Sequence, residues 1–124
     1  MGWNKRLHYP EAYKRFSVAL GEFRKRVSES KRAQRRFAYT SVLLTQLRNA
    51  ARVSEALEAV LIFRDTSNRE VYVRAREYKR GNAPNRLVII PQEIRDSDRL
   101  FLSVLSKKSV NNIKVFAIRF SDSI

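Results

Sequence analysis

The chain has 124 residues, the length of one compact domain, and its 44% hydrophobic share is enough for a core. Lys and Arg number 26 against 12 Asp and Glu, a formal net charge of +14. A surface so charged calls for a polyanion, usually nucleic acid, with anionic membrane as the competitor.

Several function classes fall away. With no Cys, disulfides and thiolate metal sites are excluded. The one imidazole, His8, lies near a chain end, where it would have to serve any Ser-His-Asp triad or His-based metal site alone. No apolar run approaches the roughly 20 residues that span a bilayer. The N-terminus, with Trp3, Lys5, Arg6 and His8, lacks the apolar core of a signal peptide. No metal, cofactor, membrane or small-molecule substrate is expected, and the location is expected to be cytoplasmic. Few Gly and Met with many Arg hint at a thermophilic source.

Residues 1–9 are expected to form a flexible end of a single domain. From Pro10, Tyr13, Phe16, Leu20, Phe23 and Val27 recur at spacings of three and four, an amphipathic helix that Ser28 and Ser30 interrupt. Lys14, Arg15, Arg24, Lys25 and Arg26 lie mostly off that stripe. A second helix is predicted from about Lys31 to Ala50, with Phe37, Leu43, Leu44 and Leu47 as its stripe. It opens with Lys31, Arg32, Arg35 and Arg36. Cations at a helix N-terminus oppose the macrodipole, so phosphate binding is favoured here over a merely solvated charge run.

A third helix starts near Val53, with Ser54 as a plausible N-cap and Ala56, Leu57, Val60 and Leu61 inward. Asp65 to Asn68 is a polar turn. From Glu70 to Tyr78 the period becomes two: Val71, Val73 and Ala75 alternate with Tyr72, Arg74 and Arg76, a half-buried strand. Residues 79–84, Lys-Arg-Gly-Asn-Ala-Pro, carry turn chemistry, and Leu87 to Ile90 is a second strand ended by Pro91. The two make a β-hairpin with a basic tip. Asp96 or Ser97 can cap a helix through Leu105. Ser109 can cap a last one with Val110, Ile113, Phe116, Ala117 and Phe120 as its apolar face, though that segment could also be a strand. The fold class is α+β, mainly helical, with helices around a small hairpin.

Three features converge: Arg48 and Arg52 at the helix junction, the basic hairpin tip, and the total charge. The stretch Ala50-Ala51-Arg52-Val53-Ser54-Glu55-Ala56-Leu57 resembles the first box of the tyrosine recombinases, roughly Thr-Gly-Leu-Arg-Ile-Ser-Glu-Leu at a helix start. A strand ending at Tyr78-Lys79-Arg80-Gly81 and another at Arg86-Leu87-Val88-Ile89-Ile90-Pro91 are similar to that family's hairpin. The resemblance covers roughly residues 35 to 120, the first half of a recombinase catalytic domain.

The resemblance implies that Arg52 matches the catalytic Arg that contacts the scissile phosphate, a role suited to the two parallel donors of a guanidinium. It makes Lys79 the match for the hairpin Lys, a general acid in the family, with Arg80 as rival. Glu55 would support Arg52 or simply the helix start. The family's His-x-x-Arg box and nucleophilic Tyr have no match here: no His follows Pro91, and the last Tyr is Tyr78. Tyr13 and Tyr39 fit apolar helix faces, and Trp3 and Tyr9 could stack on bases.

The expectation is a non-catalytic binder of duplex DNA that grips phosphates through Arg52, Lys79, Arg80, Arg48, Lys31, Arg32, Arg35, Arg36, Arg76 and Arg86. Such a protein would organise DNA or modulate recombination. An RNA- or ribosome-associated protein and one half of a split recombinase are the alternatives. The main expectation requires the surplus cations to gather on one side of the domain.

Overall fold

The computed structural model describes residues 9–74 and 85–123, of which 121–123 by backbone only. The first helix, α1, runs Tyr9–Arg24 and buries Ala12, Phe16 and Leu20. The expected stripe continues to Val27, which is buried although the helix has already ended. Two turn bonds, Arg26 N to the Phe23 carbonyl and Glu29 N to the Arg26 carbonyl, fold the chain back. Ser30 then accepts from Ala33 N at 3.0 Å and caps the next helix.

That helix, α2, spans Lys31–Asn49 and is the centre of the fold: α1, a third helix, the last helix, the second strand and a 3-10 segment all pack on it. Its second half is almost wholly inside. Thr40, Ser41 and Thr45 are buried there, and each hydroxyl donates to the carbonyl four residues back, so no polar atom is stranded. Ala50 ends α2 in the left-handed region, at φ 49°.

The third helix, α3, is Val53–Thr66, and its buried face includes Ala56, Leu57, Val60 and Leu61 as expected. Its N-cap is Arg52 rather than Ser54. Glu55 in the first turn accepts from Arg52 N at 3.0 Å, so a carboxylate three residues on satisfies the entering backbone.

Strands β1 (Glu70–Arg74) and β2 (Asn85–Ile89) pair antiparallel, from Glu70 opposite Ile89 to Arg74 opposite Asn85. Val71, Val73 and Val88 face the core, while Tyr72 and Arg74 face out. The remainder of the expected first strand, Ala75 to Tyr78, and the basic tip lie outside the described residues, as do residues 1–8.

The helix expected from Asp96 or Ser97 is instead a 3-10 run, Asp96–Val104. Its cap is also built from behind: buried Asp98 accepts from Arg95 N at 2.8 Å. A 3-10 turn, Lys107–Ser109, leads directly into the last helix, α4 (Val110–Ser123). Ser109 therefore does not cap α4 but accepts from Ser106 N at 3.0 Å. The strand alternative for this segment is overturned. Ile113 plugs the core, and Phe120 stacks on Phe16 with ring centroids 4.8 Å apart.

Candidate nucleic-acid interface

The α2–α3 junction is built around Asn49. Its side chain accepts from Ile89 N and donates to the Ile89 carbonyl, both at 2.8 Å, and donates to the Thr45 carbonyl at 2.9 Å. One amide thus acts as a strand partner for the edge of β2 that β1 does not use. Arg86 adds a second tie. Its Nη2 donates to the Asn49 carbonyl at 2.7 Å and its Nη1 to Glu55 Oε1 at 3.2 Å. Glu55 is 3% exposed, so its charge depends on these donors.

This network fixes the base of the hairpin against the turn that presents Arg52. The Arg52 backbone is held by Glu55 while its side chain stands exposed, and Arg48, one turn back on α2, is exposed as well. Arg48 also acts on Tyr13, which donates to Glu93 at 2.9 Å. Burial is the largest cause holding the Tyr13 hydroxyl in its neutral form, followed by the Glu93 bond; the Arg48 charge opposes both. Of the expected phosphate contacts here, Arg48 and Arg52 are presented to solvent, while Arg86 is half-buried and committed to Glu55 and Asn49. Arg76, Lys79 and Arg80 lie outside the described residues.

The Lys31–Arg36 cluster is elsewhere. At 3.6 residues per turn, Arg32 sits roughly 160° around α2 from Arg48, and Arg36 about 18 Å along the axis from it. Lys31, Arg32 and Arg35 are exposed, and Arg36 lies over the Phe23 ring at 6.0 Å. Arg32, Arg35 and Arg36 line a groove of about 690 Å³ between α2 and α4, whose opposite wall carries Asn112, Phe116 and Arg119. Among the described residues, the expected contacts of α2 therefore do not share one side: Arg48 belongs to the α2–α3 turn, and Arg32, Arg35 and Arg36 to the α2–α4 groove.

Part of the surplus charge is spent inside the fold. Arg24, Arg64, Arg69, Arg86 and Arg99 all donate to main-chain carbonyls. Arg24 also grips buried Asp98 through two bonds, at 3.0 and 2.7 Å. These guanidiniums replace missing backbone partners in the loops, a structural use of Arg. Asn49 and Arg119 were not among the expected site residues. Arg119 follows Asn112 and Phe116 by helical steps, which was the available signal.

Among the described residues no helix is long and apolar enough to cross a membrane, and no cluster of His, Asp and Glu could hold a metal ion. No family model matches the chain, and no solved structure matches it. An uncharacterized protein of Methanocaldococcus jannaschii is 31% identical over 101 residues, covering 77% of this chain and 45% of that protein. The chain thus spans less than half the length of that relative.

Proposed function

We propose that this chain binds duplex nucleic acid through its backbone phosphates, with Arg52 and Arg48 at the α2–α3 turn as the main contacts. The observation that carries this reading is the exposed Arg52 side chain at a helix start whose backbone is already satisfied by Glu55. An exposed guanidinium there stands beside the positive end of α3, where an anion is favoured.

The resemblance to the tyrosine recombinases supports the same reading. That family's box has Gly two residues before its Arg. Ala50 occupies the place here and adopts φ 49°, the conformation that Gly takes readily. A hairpin secured beside the Arg also agrees with the family's order of elements. Within these 124 residues neither His-x-x-Arg nor a Tyr after Tyr78 is present, so the reading is binding without strand cleavage. DNA is the proposed partner, for DNA organisation or modulation of recombination.

The test is duplex DNA binding by fluorescence anisotropy across a salt series, with duplex RNA in parallel. Log affinity should fall with log salt by about 0.9 per neutralised phosphate and show little base preference. Tighter binding to RNA would move the reading to a ribosome- or RNA-associated protein. A covalent adduct on a nicked suicide substrate would overturn the non-catalytic part.

A further inference from the structure

The α2–α4 groove faces away from the α2–α3 turn and has a different character. Among the described residues, four guanidiniums, Arg32, Arg35, Arg36 and Arg119, line it, and no carboxylate does. Between them lie aromatic rings in sequence. Tyr39 and Phe23 each pack on Phe116 at 5.8 and 6.4 Å between centroids, and Phe116 packs on Phe120 at 6.0 Å. All four rings are half-buried, so each retains surface toward the groove. Asn112 adds an amide with both donors and an acceptor.

A core needs none of the cations, and α2 carries three of them in its first two turns with no acidic residue in its first turn, against the helix dipole. An anionic occupant would offset that repulsion.

We infer that the α2–α4 groove is a binding site for single-stranded nucleic acid, with phosphates on the arginines and bases against the rings. The alternation of guanidinium and flat ring suits unpaired bases, whose faces stack without sequence preference. Duplex DNA hides those faces inside its stack. An acidic amphipathic peptide would instead bring a row of apolar anchors, and among the described lining residues Val115 is the one aliphatic side chain to receive them. The inference is independent of the Arg52 reading.

The experiment uses the whole chain and labelled 12-nucleotide oligothymidylate, an abasic strand of equal length and charge, and a duplex. Oligothymidylate should bind about tenfold or more tightly than the abasic strand, because stacking is lost without bases. The Arg35→Ala, Arg119→Ala double variant alters exposed side chains, and circular dichroism verifies its fold. It should flatten the single-strand salt slope by about 1.4 units and leave duplex affinity unchanged. Arg52→Ala should do the reverse. Equal binding of the abasic strand, or parallel losses on strand and duplex in both variants, would overturn the inference. So would displacement of oligothymidylate by oligoglutamate of matched charge. Absence of duplex binding alongside intact strand binding would remove the Arg52 reading and leave this one standing.

Discussion

Arg86 of β2 binds Glu55 of α3 at 3.2 Å across 31 residues of chain, and the same guanidinium holds the Asn49 carbonyl at 2.7 Å. The pair therefore joins the hairpin, the end of α2 and the start of α3 at one point. Glu55 is buried while the Arg86 side chain is 35% exposed, so the cost of breaking the pair is uneven. Glu55→Ala removes a cap and frees a guanidinium that solvent can partly rehydrate. Arg86→Ala leaves a buried carboxylate short of a donor. Arg86→Ala should lower unfolding free energy by about 2 kcal/mol, below the range for fully buried pairs, and Glu55→Ala by about 1 kcal/mol, the loss of a cap. Urea titration checks this. A loss under about 0.5 kcal/mol for both, the range of ordinary surface changes, would mean that the strands are held by their valines and by Asn49 without the ion pair.

Ala50 adopts φ 49° and ψ 42° at the end of α2, where its Cβ is strained and its backbone N–H reaches the Gln46 and Leu47 carbonyls. Ala50→Gly should stabilise the fold by about 1 kcal/mol, because relief of the left-handed strain exceeds the added freedom of the unfolded chain. Ala50→Val should destabilise it. Thermal melts of the two variants in opposite directions are the expected outcome. A lower melting temperature for Ala50→Gly would contradict it.

Burial and the bond to Glu93 raise the Tyr13 pKa above the ordinary tyrosine value of 10.0. The unfolded chain therefore loses this proton before the folded one does. Above about pH 10 the folded state binds more protons, and its stability falls as pH rises further. Below that point the contribution is fully present. Tyr13→Phe should lose stability more slowly than wild type above pH 10. Ultraviolet difference spectra should show no Tyr13 phenolate where an ordinary tyrosine is already ionised. Glu93→Gln, by removing a neighbouring charge, should bring that ionisation part of the way down; an unchanged titration would refute the share assigned to Glu93 and leave burial as the cause.

Much of this architecture was legible because local signals agreed. Ser30 before Lys31 marks the start of α2, and the alternation around Val71 and Val73 marks β1. The caps of α3 and of the 3-10 run were misplaced for one reason. In both, a carboxylate inside the first turn, Glu55 or Asp98, satisfies the preceding backbone N–H, whereas Ser54, Asp96 and Ser97 look like better N-caps. Charge placement divides similarly. The opposed directions of Arg32 and Arg48 follow from helical spacing alone. The internal use of Arg24 depends on Asp98, 74 residues away, and leaves no local trace. The groove likewise requires Arg119 of α4 to meet Arg35 of α2.

Arg52 and Arg86 lie at the same junction, yet their replacement by Ala should give different signatures. Arg52 presents its side chain to solvent, and Arg86 spends donors on Glu55 and Asn49. Arg52→Ala should weaken duplex binding uniformly across sequences and flatten the salt slope by about 0.9 units. Arg48→Ala should behave in the same way, and the double variant should be additive in slope. Arg86→Ala should instead lower stability first and weaken binding only through misplacement of the hairpin base, so its salt slope should stay close to wild type. If Arg52→Ala leaves both affinity and slope unaltered, the guanidinium at the start of α3 is not a phosphate contact. The duplex surface must then be sought away from the α2–α3 turn.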